Sequence, residues 1–180
     1  MRLYLYHPHF KPSSTNNMYS FIVKCRSVLL VFLTHQMALP LLKLVRAPEK
    51  FPYSWAELLQ FEAGTLGRDL VEFVQHKGLE LLPYYARHDM KHLLLQYDTT
   101  DEGEVCLQCF MLGNRHFSFP VLATVVFGLA TMPEHWTKFK QAYLRGQGAN
   151  ALEHWDWFGV LDQPTAQLKS VIFHSKNKAS

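Results

Sequence analysis

The stretch from Arg87 to Glu104, RHDMKHLLLQYDTTDEGE, places His88, Asp89 and His92 within five residues and follows them with Glu104 beyond an acidic, threonine-rich turn. Imidazole nitrogen together with carboxylate oxygen is a donor set for divalent cations: Zn first, with Fe, Mn, Co and Mg as the other candidates. On a helix, residues i and i+4 differ by about 40° around the axis, so His88 and His92 would leave one face a turn apart. A single helix offers two imidazoles to one ion by this spacing. Asp89 falls about 60° beyond His92, where it would be a third ligand or would orient an imidazole. Glu104 can point back at the pair if the chain turns at YDTTDEG. It has a competing role, because Asp101 and Glu104 are also spaced as a capping box. Gly103, small enough to allow close approach, favours the ligand role, and both roles stay open. Ten histidines in 180 residues give about half a His-x-x-x-His pair by chance. The pair therefore counts only with its carboxylates.

The elements that must hold these residues read as helices. Met18 to about Val45 is apolar with helical recurrence and a bend expected at Pro40. Ser54 is placed to cap WAELLQFE, and Thr65 to cap LGRDLVEFVQHKG, which Gly78 ends. Pro83 opens the helix of His88 and His92. EVCLQCFML follows and stops at Gly113-Asn114. Pro120 and Pro133 each begin a further helix. The run from Phe119 to Met132, FPVLATVVFGLATM, reads as a buried helix and is too short to span a bilayer. The alternating segments RLYLY and SVIFH suggest a small two-stranded edge. Trp136, Trp155 and Trp157 are expected to pack against the core. No repeat, linker or low-complexity tract interrupts the chain, so the expectation is one all-α domain over residues 1–180.

Composition narrows the function. Apolar residues make up 48% and charged ones 18%, with thirteen Phe, eight Tyr and four Trp to line either a large core or a greasy pocket. Three cysteines are no disulfide framework, and a reducing, cytoplasmic setting fits them. Cys106 and Cys109, alone as a pair inside a helix, read as core. His7, Pro8 and His9 break the apolar N-terminus too early for a secretory signal. Residues 1–48 hold six bases and no acid, residues 49–104 five bases and eleven acids, and the rest seven bases and four acids, summing to +3. The first block has the composition of a helix on an anionic membrane surface, and also that of a core helix with a few solvated lysines, the plainer of the two readings. Too few bases and no recognition motif argue against nucleic acid. His88-Asp89 also suits an HD-type metal phosphohydrolase, for which His76 and Asp156 are the nominal extra ligands. The plainest alternative is a structural helical protein without a lipid ligand.

The set His88-Asp89-x-x-His92, eleven residues, then Glu104 resembles the signature of the coenzyme Q biosynthesis protein four family. GTLGR (Gly64 to Arg68), AYLRG (Ala142 to Gly146) and the segment around Trp155 resemble other parts of that family, over about Trp55 to Val171. The resemblance implies an all-helical fold, a divalent cation held by His88, Asp89, His92 and Glu104, and a pocket for a long isoprenoid chain. It also implies peripheral membrane association, homodimerisation and partners in the quinone pathway. The family's role is read either as a scaffold for other ubiquinone-pathway enzymes or as removal of the ring carboxylate at carbon one, leaving a hydroxyl. Met90 and Lys91 depart from the bulkier residues expected inside the motif. Lys91 would stand about 60° from His88, to steer a ring carboxylate or simply to be solvated. The prenyl tail is expected between the 21–33 and 119–132 helices.

Overall fold

The computed structural model describes residues 17–31 and 50–173, and among them every regular element is a helix. They are α1 (Asn17–Val31), α2 (Trp55–Leu58), α3 (Leu66–His76), α4 (Ala86–Leu95), α5 (Asp101–Gly113), α6 (Phe119–Thr131), a 3-10 turn at Pro133–His135, α7 (Trp136–Gly148) and α8 (Thr165–Phe173). The predicted helix beyond Val31, its bend at Pro40 and the segment RLYLY lie outside the described residues. SVIFH is not an edge strand: through Phe173 it belongs to α8, whose Leu168 and Ile172 turn one face inward.

Several boundaries follow from local chemistry. Ser54 and Glu57 form a reciprocal capping box at the short α2. Thr65 is the N-cap of α3, although its hydroxyl donates to the Glu62 carbonyl rather than capping the helix. Past the end of α3, Gly78 takes φ +63°, a conformation glycine adopts without strain. Buried Leu66, Leu70, Val71 and Val74 of α3 give the period of one apolar stripe.

α5 is the central helix. Leu107, Phe110 and Met111 enter one apolar cluster with α3, α4, Trp157 and Leu161. Val105, Cys106 and Cys109 enter a second with Leu30, Val125, Met132, Phe139 and Ala142. Both helix cysteines are thus core, and burial pushes their thiols up to about 11 and about 12. The most extensive helix pairing is α5 with α7. A β-carbon at Gly113 would lie 2.1 Å from the Tyr143 carbonyl oxygen, and one at Gly146 2.1 Å from that of Phe110. Backbone therefore meets backbone at this crossing.

α6 corrects the reading of a buried helix. Val121, Thr124, Val125 and Gly128 face inward, whereas Phe119, Leu122, Val126 and Leu129 are exposed. Trp136 is also exposed and donates its indole N–H to the Leu129 carbonyl, while Trp157 is buried and Trp155 packs partly against the core. α1 leans on α6 through buried Leu30. It is further held by Arg26 to Glu134 at 2.9 Å and by a short hydrogen bond from Ser27 to Asp101. Phe21, Val28 and Leu29 of α1 remain exposed. No described helix is long and apolar enough to cross a membrane.

Replacing Gly146 by alanine drives a methyl group into the Phe110 carbonyl and should destabilise the fold by about 3 kcal/mol in urea unfolding. Gly148→Ala, with nothing within 4 Å of the new carbon, should keep the midpoint or raise it slightly. Equal midpoints for the two variants would contradict the close crossing.

Candidate metal centre

The centre is built on α4 and the first turn of α5. Helical spacing carries His88 and His92 to one side of α4, which ends at Gln96 in the left-handed conformation, φ 59°. Lys77 then pairs with Asp98 at 2.8 Å and steadies the turn. The cap of α5 is Thr100, whose hydroxyl accepts from the Gly103 N–H at 3.2 Å. Asp101 is therefore not the capping residue, and the capping-box role expected for Glu104 is not used. The Glu104 carboxylate turns to the histidines instead.

Three ligand atoms converge. His92 Nε2 lies 2.8 Å from Glu104 Oε1, His88 Nε2 lies 3.1 Å from the same oxygen, and the two Nε2 atoms are 3.1 Å apart. Donors about 2.1 Å from one ion are about 3.0 Å apart at right angles and about 3.4 Å apart in a tetrahedron, so the three atoms are close enough to share one cation. His92 Nδ1 stands 3.1 Å from the Tyr97 carbonyl oxygen. With Nδ1–H donating there, Nε2 presents its lone pair to the centre. The other Glu104 oxygen, Oε2, is buried and has no hydrogen-bond partner among the described residues. A buried carboxylate with one oxygen on two imidazoles and the other unsatisfied is the chemistry of a cation site. His88, His92 and Glu104 thus form a group that could hold a metal ion, whose identity the geometry leaves open.

The electrostatics agree. Burial opposes ionisation of Glu104, but His88 and His92 outweigh it and hold the carboxyl well below its usual range. Burial likewise disfavours charged His92, yet the Glu104 charge and hydrogen bond, the Tyr97 carbonyl and Asp89 raise its pKa above the ordinary value. Without metal, a proton is the cation this centre attracts.

The other predicted residues sit apart. Asp89 is next to the cluster and feels both imidazoles and Glu104, but contributes no atom to it; burial pushes its carboxyl up to about 6. Lys91 lays its ammonium over the Trp157 ring, 5.6 Å from the centroid. Burial, then Arg87, lower its pKa to about 8. His76 and Asp156, the extra ligands a phosphohydrolase would need, are exposed and outside the cluster. One open cavity of about 400 Å³ is lined by Phe51, Tyr53, Trp55 and Glu80, and another of about 510 Å³ borders the α4–α5 turn. Neither is lined by residues of 21–33 or 119–132, where the tunnel is expected.

Arg145 of α7 is a supporting residue that spacing alone does not reveal. It donates to the Leu95 carbonyl at 2.6 Å, and its guanidinium lies 5.2 Å from the Tyr97 ring centre and 4.2 Å from that of Phe173. It therefore grips the turn whose Tyr97 carbonyl orients His92. Its place in AYLRG was a signal without a mechanism.

No family model and no curated protein matches the chain. Among solved structures, the chain is similar to a protein of Nostoc punctiforme PCC 73102 called "Putative ubiquinone biosynthesis protein". The TM-score is 0.58 at 18% identity, over 84% of this chain and 81% of that one. At this identity the likeness shows the shared all-α fold.

Arg145→Met should weaken Zn affinity by roughly tenfold, as loss of an outer support for a liganding histidine does. Competition titration with a chelator measures it, and an unchanged affinity would remove Arg145 from the account.

Proposed function

We propose that this protein binds a divalent metal and a prenylated quinone precursor, and acts in or beside ubiquinone biosynthesis. The observation that carries this reading is the convergence of His88, His92 and Glu104, with Glu104 Oε2 buried and unsatisfied. The sequence resemblance and the likeness to the Nostoc protein support the pathway. A bound ion would supply a Lewis-acid centre for an oxygen-bearing head group. His92 is held for this by Tyr97, and Glu104 brings its charge to a site where burial strengthens it. Zn is the first choice for such ligands, with Fe, Mn, Co and Mg as alternatives.

In the scaffold role, the head group is retained here for other quinone-pathway proteins. A second reading is the oxidative decarboxylase that exchanges the carboxylate at ring carbon one for a hydroxyl. Such a step releases carbon dioxide and needs an external oxidant such as dioxygen. Asp89 favours it, because its buried carboxyl beside the cluster is placed to exchange a proton with a head group there.

The prenyl tail and the membrane are assigned to the apolar face of α6 and α1. α6 carries no charged residue, and Phe119, Leu122, Val126 and Leu129 are exposed along it. Each methylene withdrawn from water contributes about 0.8 kcal/mol, so several isoprene units provide strong binding. The basic, acid-free first 48 residues support attraction to anionic lipid. Pairing of two copies through the apolar face belongs to the same reading.

Purified protein should carry about one divalent ion per chain by elemental analysis, lost in the His88→Ala/His92→Ala double variant. Wild type free of metal under non-chelating conditions would overturn the metal assignment. Solvent extraction and mass spectrometry should yield a prenylated or fatty acyl molecule, and vesicles containing anionic lipid should retain the protein until salt rises. An extract without lipid, together with equal partition to neutral and anionic vesicles, would defeat the lipid assignment.

A further inference from the structure

Arg87 and Lys91 are one turn apart on α4, and both rest on aromatic rings of the segment that follows α7. Lys91 Nζ is 5.6 Å from the Trp157 centroid and the Arg87 guanidinium carbon 5.5 Å from that of Phe158. Trp157 is buried, so the surface beneath the ammonium is a fixed wall. His116, beyond α5, completes the neighbourhood. Burial lowers its pKa, and the charges of Lys91 and Arg87 lower it further against the pull of Glu153.

Lys91 is the anomaly. Its side chain is largely withdrawn from water, yet among the described residues no hydrogen bond or ion pair holds its ammonium. Lysines removed from water are ordinarily paired. A ring face replaces only part of the lost hydration. Arg87 adds positive potential, and neither Glu104 nor Asp89 enters the balance of charges on Lys91. The group is thus electrostatically incomplete. His116 is partly exposed and Glu153 exposed, so the neighbourhood lies at the surface.

The geometry points to an oxyanion subsite in which Lys91, seated on Trp157 beside Arg87 and His116, binds a carboxylate or phosphate group. The inference rests on the function proposed above for the larger molecule that bears this group. The subsite itself uses no metal ligand. Lys91 follows His88 by three residues, so the two side chains leave α4 about one helical turn apart. A head group with an oxyanion at one end and a metal-binding oxygen at the other would be recognised at both.

The test is calorimetric titration of the full chain at pH 7 with 4-hydroxybenzoate and, separately, with inorganic phosphate. Wild type should bind at least one of them, and the tighter one identifies the oxyanion. Lys91→Met keeps the aliphatic stem and removes the charge, and should weaken binding by about tenfold or more. Lys91→Arg should restore binding to within about threefold. The same loss should appear when Lys91→Met is added to the His88→Ala/His92→Ala protein, so a failure of the metal reading leaves this result intact. No binding to wild type, equal binding by Lys91→Met, or loss of binding in the His88→Ala/His92→Ala protein alone would each overturn the subsite. Lys91→Met should melt no lower than wild type, because it removes an unpaired charge. A melting point several degrees lower would make the ammonium a structural partner of Trp157 and also overturn it.

Discussion

The contact between Gly103 and the carbonyl of Asp98 is the constraint on which the centre depends. A β-carbon at Gly103 would lie 2.0 Å from that oxygen, so only glycine lets the turn fold against the start of α5. The neighbouring features serve the same closure. Gln96 takes the left-handed conformation, Lys77 ties down Asp98, and Thr100 rather than Asp101 caps α5. With the amide of Gly103 satisfied by Thr100, the Glu104 side chain is released from capping. It spends its charge on His88 and His92, at 3.1 and 2.8 Å. A local turn thus determines whether a carboxylate is a helix cap or a ligand.

The same turn joins the centre to the rest of the fold. Arg145 reaches the end of α4 from α7, and α7 can lie that close only because Gly113 and Gly146 bring two backbones together. Support for the His92 tautomer therefore runs from the α5–α7 crossing through Arg145 to Tyr97. α6 lies on the other side of α5, with Gly128 against Val105, and turns its outer face to solvent. A polar, cation-seeking centre and an apolar, charge-free surface are thus built around one helix.

Much of this was legible in the residues. Helical periodicity and the capping and stop signals at Ser54, Gly78 and Asn114 lead to an all-α fold, and the i, i+4 histidines follow from helix geometry alone. What could not be read depends on tertiary contacts. Thr100 and Asp101 are both good caps, and the choice between them is made by the packing of the turn. FPVLATVVFGLATM is apolar on all sides, so its periodicity cannot say which half faces water. The alternation of SVIFH is overridden because Leu168 and Ile172 of α8 pack into the core. Lys91 was placed by angle near His88, but its long side chain reaches the Trp157 ring, a residue distant in sequence.

The central claim is that two imidazoles and one carboxylate hold a single divalent ion. X-ray absorption spectroscopy of the Zn-loaded protein tests it most directly. The account predicts a first shell of nitrogen and oxygen at about 2.0–2.1 Å, with the multiple scattering of two imidazole rings and loss of one light-atom ligand in Glu104→Gln. A shell containing sulfur, or one without imidazole scattering, would contradict it.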